Sequence, residues 1–242
     1  MSTSVIIVTF NSQNTLPACL KSVQAANPAE TIIIDNTKNN RGFARAANLG
    51  AASATGDYLL FLNPDTLIPA HLIREIDHYF KIHPQTAIIA PQLINSSGQP
   101  EPFSFGPKVT PLSILLPSPF PSLPRACWGR GAGGEVAWMS GAALAIRRSV
   151  FNQIKGFDQQ FFMYWEDVDL CRRAIRGGHQ IVRIENIKVI HQRGASFASS
   201  KTKTKYYDIS ADKYFRKYYP AWICFSLRAL RYLYRLFRPY SL

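Results

Sequence analysis

The chain predicts an α/β fold, a parallel sheet covered by helices, on two observations. Apolar, β-branched runs of strand length alternate with stretches whose apolar residues recur at helical spacing, and the links between them are short. The first three runs also end on polar residues, and open α/β sheets bind ligands beyond the carboxyl ends of their strands. At 242 residues, 47% hydrophobic and 12% aromatic, the chain holds enough apolar material for one large packed domain.

SVIIVT, residues 4 to 9, is continuous and β-branched, as a strand buried on both faces should be. TLPACLKSVQAA then places Leu16, Cys19, Leu20 and Val23 at helical spacing. TIIIDN is expected to be a second buried strand, and RGFARAANLGAASA a helix from about 42 to 54. DYLLFLNPDT supplies the third strand, LIPAHLIREIDHYFKIH a helix, and residues 87 to 94 a fourth strand. Thr9 and Asn11, Asp35 and Asn36, and Asn63 and Asp65 should therefore meet on one edge. Residues 98 to 124 hold many of the 16 prolines and read as an irregular, mobile connection of a length that is often functional. Beyond it come strand-like VAWMSGAALAIRR, a short helix around 149 to 154 and a helix from about 166 to 176 stopped by Gly177–Gly178. Two short strands in QIVRIENIKVIHQRG follow.

Several classes are disfavoured at once. Cys19, Cys127, Cys171 and Cys224 are scattered without CxxC or zinc spacing, which predicts free thiols in a reducing compartment. MSTSVIIVTF reads as a first strand and not as a signal peptide. No run reaches the ~18 apolar residues of a membrane span. Neither G-x-G-x-x-G after the first strand nor G-x-x-x-x-G-K-[ST] occurs, which argues against dinucleotide-binding and P-loop sites.

Candidate chemistry collects in three places. An acid in NPDT, at the end of a buried strand, can bind a divalent cation whose shell is completed by phosphate oxygens; the same residues could also simply make a turn. Asp35 could accept a hydrogen bond from a nucleobase or cap a turn. His191, after an apolar strand, could add an imidazole to a metal held by Asp65 or be an ordinary polar residue. FFMYWEDVDLCRR gathers Glu166, Asp167 and Asp169 in a basic chain; they suit a helix start, and one of them suits a catalytic base.

Taken in order, VIIVTFN, IIIDN, NNRGFARAANLG, YLLFLNPDT, SGAALAIRRSVFNQIKGFDQQFFMYWEDVDLCRR and IHQRG resemble family 2 glycosyltransferases, rhamnosyltransferase-type bacterial members above all, over about residues 3 to 195. The resemblance implies a GT-A type fold, a mixed, mostly parallel sheet flanked by helices. Its nucleotide-binding half would span about 1–95 and its acceptor-binding half about 134–200, with a helical tail at 201–242. It implies an inverting, metal-dependent transfer from a dTDP- or UDP-sugar, with rhamnose as the donor sugar, to a saccharide or polyprenyl-diphosphate-linked acceptor in cell-surface polysaccharide synthesis. Thr9, Asn11, Asp35, Asn40, Arg41, Gly42, Phe43, Asn48 and Asn63 would surround the nucleotide-sugar. Asp65 and His191 would hold Mg²⁺ or Mn²⁺. Trp138, Ser140, Gly141 and Trp165 would line the donor-sugar and acceptor pocket, with the other aromatics before Glu166 walling it. Asp167 would be the base, with Glu166 beside it, while Asp169 would pair with Arg173 four residues on. Two departures stand out: Asn63 replaces the first acid of the family's D-x-D motif, and only four residues separate IIIDN from RGF.

Formal charge is +13, and its excess lies at the end: from Lys201 onward there are ten basic residues against Asp208 and Asp212. WICFSLRALRYLYRLFRPY predicts an amphipathic helix, with Arg228, Arg231, Arg235 and Arg238 on one face and Ile223, Leu227, Leu230, Leu233, Tyr234 and Phe237 on the other. That suits an anionic membrane and a peripheral place on the inner face of the plasma membrane. A nucleic-acid-binding module would instead spread basic and aromatic residues across the folded face. An inactive, membrane-bound partner protein is the rival that the two departures raise, and nucleotidyl transfer lacks its Gly-rich, Lys-bearing loop.

Overall fold

The computed structural model describes residues 1–111, 136–192 and 200–237. Expectations for residues 112–124 of the Pro-rich connection, for Cys127 and for Arg238 fall outside these. The elements run β1 (Thr3–Thr9), α1 (Leu16–Ala26), β2 (Glu30–Asp35), α2 (Phe43–Ser53), β3 (Tyr58–Leu62) and β4 (Thr66–Leu67). Next come α3 (Leu72–Ile82), β5 (Thr86–Ile94), β6 (Phe105–Gly106), β7 (Trp138–Met139), β8 (Ala143–Arg147) and α4 (Arg148–Gln153). The chain continues with α5 (Glu166–Arg176), β9 (Gln180–His191), α6 (Ser200–Tyr218) and α7 (Ala221–Phe237).

The main sheet has seven strands in the order β2-β1-β3-β8-β5-β9-β4. β1 lies parallel to both β2 and β3, β5 parallel to β9, and β8 runs antiparallel between β3 and β5. β6 and β7 form a separate antiparallel ribbon. The two-residue period of the strands divides the core into two layers. Ile6, Val8, Leu59, Phe61, Leu144 and Ile146 face one side, where the alanines of α2 and Leu170 and Cys171 of α5 cover them. Val5, Ile7, Leu60, Leu62, Ala143 and Ala145 face the other, under α1 and α3. Small residues let α2 lie close: a Cβ on Gly50 would come 2.5 Å from Ile6 Cγ2.

Four expectations change. β2 is an edge strand whose residues alternate between half-buried and exposed, so TIIID is not buried on both faces. VAWMSGAALAIRR is broken at Ser140–Ala142 into β7 and β8. QIVRIENIKVIH is one strand, because the register shift opposite Pro91–Gln92 absorbs Glu185–Ile187 as a bulge. The Pro-rich connection is pinned at its start: Asn95 Oδ1 accepts from the N–H groups of Ser97 and Gln99, Pro100 bridges Ile94, and the Glu101 N–H donates to Leu93 O at 2.9 Å. Cys19, Cys171 and Cys224 are free, and burial pushes the first two thiols to about 11 and about 12.

Candidate active site

At the ends of β1, β2 and β3 the chain makes three polar turns. Asn36, buried just past β2, organises the second of them. Its amide nitrogen donates to Asn40 Oδ1 (3.1 Å) and Gly42 O (3.4 Å), and its oxygen accepts from Arg41 N (3.0 Å). Asn40 Oδ1 in turn accepts from Gly42 N at 3.0 Å. The four-residue link between IIIDN and RGF is therefore a closed, internally bonded loop. It meets the second half of the chain at Phe162, whose carbonyl accepts from Phe43 N at 2.8 Å. Glycine is required at 42, where φ is +82° and a Cβ would lie 2.5 Å from Phe162 O. Thr9 is buried and its hydroxyl reaches Ile34 O at 3.5 Å. Asn11 is exposed with φ of 51°, and Asp35 is exposed and caps its own turn by accepting from Thr37 N, which holds its pKa down.

The NPD turn sits deeper. Asn63 O accepts from both the hydroxyl (2.6 Å) and the N–H (3.2 Å) of Thr66, and this sets Asp65 in a buried position. Asp65 Oδ1 stands 3.3 Å from His191 Nε2, and Asn63 Nδ2 lies 3.5 Å from the same nitrogen. On the far side of the ring, His191 Nδ1 is 2.9 Å from Glu101 Oε2 and 3.1 Å from Oε1. Burial opposes a charge on His191, but the hydrogen bonds and charges of Asp65 and Glu101 outweigh it and lift its pKa to about 9. The site residues fit a divalent cation. A carboxylate oxygen and an imidazole nitrogen stand close to the ~3 Å spacing of adjacent ligands around an ion at ~2.1 Å. Among the described residues no three His, Cys, Asp or Glu side chains converge on a metal position, so the rest of the shell would come from a bound ligand and water.

One short turn ties this corner to the acids of α5. Ala142 O accepts from Asn63 N at 2.9 Å, and the next residue back, Gly141, donates its N–H to Asp167 Oδ2 at 2.9 Å. A Cβ on Gly141 would stand 3.7 Å from Asp167 Cβ and 3.8 Å from Phe43 Cε1, so the loop before α2, the 140–142 turn and α5 meet here. Ser140 is fixed through its N–H to Ser104 O (2.8 Å) and accepts from Ala142 N (3.3 Å). Asp167 is partly buried; burial pushes its carboxyl up, against the N–H bonds from Gly141 and Val168. Glu166 is buried, and desolvation together with the Asp167 charge holds its pKa well up. Its Oε2 is buried without a hydrogen-bond partner among the described residues, which suits a carboxyl that keeps its proton. The helix dipole alone does not set these charges: burial dominates both. The pair follows two non-glycine residues in the left-handed region, Tyr164 (φ 65°) and Trp165 (φ 71°), a strain of about 1–3 kcal/mol each.

Three of the expected site residues have packing partners of their own. Trp165 is buried against Tyr207, Tyr214 and Phe215 of α6, with ring centroids 5.1 to 5.8 Å away, and anchors that helix instead of lining a pocket. Among its neighbouring aromatics Phe161 joins the same cluster and Phe162 stacks on Tyr206. Asn48 spends both ends of its amide on Phe157, donating to its carbonyl (2.8 Å) and accepting from its N–H (2.9 Å). It is a clamp between α2 and the 156–157 turn. Trp138 packs over Gly106 in the small ribbon, where a Cβ would meet its ring nitrogen at 2.6 Å. Asp169 does pair with Arg173 (2.7 Å) and also takes Lys217 Nζ and the Tyr218 hydroxyl, each at 2.6 Å. Sequence reasoning missed Glu101 and the organising role of Asn36. Asn36 carried a signal as the residue next to Asp35, whereas Glu101 carried none.

Residues 31–104 match the model of Glycosyl transferase family 2. The low-salt glycan biosynthesis hexosyltransferase Agl10 of Haloferax volcanii is 28% identical over 217 positions, covering 78% of this chain and 67% of that protein. The N-acetylglucosaminyl-diphospho-decaprenol L-rhamnosyltransferase of Mycobacterium tuberculosis is 44% identical over 61 residues, 25% of this chain and 20% of that one. Rhamnosyltransferase WbbL of Escherichia coli is 39% identical over 67 residues, 26% of this chain and 25% of that one. The two rhamnosyltransferases are thus matched over a quarter or less of their length. Among solved structures, GalNAc-T7 with UDP, GalNAc and Mn²⁺ superposes with a TM-score of 0.61 at 16% identity, over 87% of this chain and 48% of that one. Staphylococcus aureus TarS (residues 1–349) in complex with UDP superposes with a TM-score of 0.55 at 15% identity, over 89% and 72%. The fold is of the GT-A type.

Proposed function

We propose that this chain, which belongs to glycosyl transferase family 2, catalyses an inverting transfer of a sugar from a nucleoside diphosphate donor to an acceptor hydroxyl. The observation that carries the reading is the Ser140–Ala142 turn: it bonds Asn63 of the metal corner on one side and the Asp167 carboxylate on the other. A leaving diphosphate and an acceptor base are the two groups that such a transfer needs on either side of one sugar.

Asp167 takes the proton of the acceptor hydroxyl as that oxygen attacks the anomeric carbon, while the bond from that carbon to the diphosphate breaks and the nucleoside diphosphate leaves with its electrons. A raised pKa makes Asp167 a stronger base than an ordinary aspartate. The Gly141 N–H leaves Asp167 a lone pair for the acceptor and fixes the carboxylate against the donor side. Asp65 and His191 would hold Mg²⁺ or Mn²⁺, and that ion when bound neutralises charge on the departing diphosphate. The loop closed by Asn36 and Asn40, with Arg41 exposed on it, would lie along the nucleotide-sugar, together with Thr9, Asn11 and Asp35.

Rhamnose carried on dTDP and a polyprenyl-diphosphate-linked acceptor are the donor and acceptor we favour, on the matched rhamnosyltransferases. A UDP-sugar is the second donor class, in keeping with the UDP-bound neighbours. An acceptor on a lipid also gives the tail a purpose. In α7, Leu227 and Ile223 turn inward, whereas Trp222 (70% exposed), Phe225 (77%), Leu230 and Leu233 stand outward. The described apolar residues are thus split between two faces, one packed and one open, instead of forming a single face. The side chains of Arg231, Tyr234, Arg235 and Phe237 lie outside the described residues. We propose that the open ridge, in a strongly basic segment, rests on an anionic membrane. No helix among the described residues is long and apolar enough to cross one.

The direct test is a panel of dTDP- and UDP-sugars with Mg²⁺ or Mn²⁺, read by thermal shift and by nucleoside diphosphate release. At least one donor should stabilise the protein in a metal-dependent way, and Asp65→Ala should remove most of that effect. Absence of binding across the panel would discard the reading.

A further inference from the structure

The site described above contains one acid that neither its sequence pattern nor its place in the chain foretold. Glu101 lies in the connection after β5, 90 residues from His191, and is buried. It is a built position and not a chance approach. The backbone of Glu101 donates to Leu93 O, its carbonyl accepts the Ser104 hydroxyl at 2.9 Å, and Ser104 O accepts from Ser140 N. The segment is therefore laced on one side to β5 and on the other to the turn that carries Gly141. Both Glu101 oxygens then face a single ring nitrogen, Nδ1 of His191, at 2.9 and 3.1 Å.

We propose that Glu101 is a positioning residue for the cation site, an inference that rests on the metal reading of Asp65 and His191. Accepting from Nδ1–H, it fixes the ring so that Nε2, which lies beside Asp65, is the nitrogen left to bind the ion. It also supplies a second negative charge to a corner whose own turn, Asn63-Pro64-Asp65, offers only one. A buried imidazole without such an acceptor can flip its ring or move its proton to Nε2, and either change removes the lone pair from the ion. Carboxylates placed behind a ligating histidine typically change metal affinity by about 10–100-fold when removed. The arrangement also explains why part of a Pro-rich connection is held so firmly.

The test uses the full chain and Mn²⁺ alone, then Mn²⁺ with UDP, with free Mn²⁺ read by electron paramagnetic resonance. Asp65→Ala and His191→Ala should lose most binding. Glu101→Ala should weaken it by about 10–100-fold, and Glu101→Gln, which keeps an acceptor but not the charge, by several-fold. With Mg²⁺ in place of Mn²⁺, nitrogen-15 spectra should show the Nδ1–H tautomer of His191 in the parent and in Glu101→Gln. Mn²⁺ affinity unchanged in Glu101→Ala while Asp65→Ala loses it would overturn the role of Glu101 alone. If Glu101→Ala does not fold, parent-like affinity in Glu101→Gln, or an Nε2–H tautomer in the Mg²⁺-loaded parent, overturns it equally. Mn²⁺ binding absent from the parent, or intact in Asp65→Ala and His191→Ala, removes the metal reading and this inference with it.

Discussion

Asp167 and Glu166 are adjacent in sequence but do different things with their charge. Asp167 keeps two N–H donors that favour the carboxylate, from Gly141 and Val168, whereas the Glu166 carboxyl is more deeply buried and has an oxygen without a hydrogen-bond partner among the described residues. Both pKa values are raised, chiefly by burial. The sign follows for activity: a base works only when deprotonated, so transfer should fall as pH drops through the raised Asp167 pKa. The acid limb of kcat should lie above the ~3.9 of an ordinary aspartate. A pH–rate profile checks this, and a limb at or below that value contradicts the burial argument. For stability the sign is the same for both acids. A raised carboxyl favours folding at pH below its unfolded pKa, and that contribution fades as pH rises through the folded value. At this scale the sequence pointed to which polar side chains would gather and said little of their geometry. Asp65, His191 and Asp167 were legible because each follows a strand or opens a helix. Asn48 was misplaced because its partner, Phe157, lies 109 residues away.

The elements that hold Asp167, the base we propose, are α5 and α6. Tyr164 and Trp165 take left-handed backbone immediately before Glu166, and the Trp165 ring is gripped by Tyr207, Tyr214 and Phe215. Asp169 completes the joint as a fully buried carboxylate shared by Arg173, Lys217 and Tyr218. A helix that the sequence assigns to a tail is thus packed on the helix that carries Asp167, and the buried acid they share, Asp169, sits two residues from it. Asp169→Ala would leave Arg173 and the Tyr218 hydroxyl without their carboxylate and Lys217 with Asp158 alone, and should cost about 3 kcal/mol. Chemical denaturation measures the loss, and a change under 1 kcal/mol would show that the joint is not coupled to folding. α7 behaves differently. Because Leu227 is buried in the same cluster, deleting the helix would uncover core, so the membrane idea is better tested by substitution of the open ridge. Trp222→Ser with Phe225→Ser should leave the melting temperature within a few degrees while abolishing sedimentation with anionic vesicles. Undiminished vesicle binding would refute the ridge. Helix periods made these elements visible in sequence; the division of the α7 apolar residues between two faces depended on where α6 lay.

For the molecule as a whole, a GT-A sheet gathers the ends of β1, β2 and β3 on one edge and brings β8, α5 and β9 to it from the second half. Strand pattern alone gave the parallel left side of this sheet, since β1 and β3 are buried on both faces and read as unbroken apolar runs. It did not give the antiparallel insertion of β8 between β3 and β5, because nothing local distinguishes the two directions. Nor did it give the 12-residue β9, which reads as two short strands and is one, with Glu185–Ile187 absorbed as a bulge. The net charge of +13 should make association with anionic membranes weaken as salt rises. Across these levels we propose Asp167 as the base of a sugar transfer whose donor is bound separately, at Asp65 and His191. It is tested most directly with Asp167→Asn, by measuring sugar transfer to a lipid-linked acceptor and donor affinity on the same preparation. Transfer should fall by at least about 100-fold with donor affinity within a few-fold of the parent. Transfer at the parental rate in Asp167→Asn would contradict it.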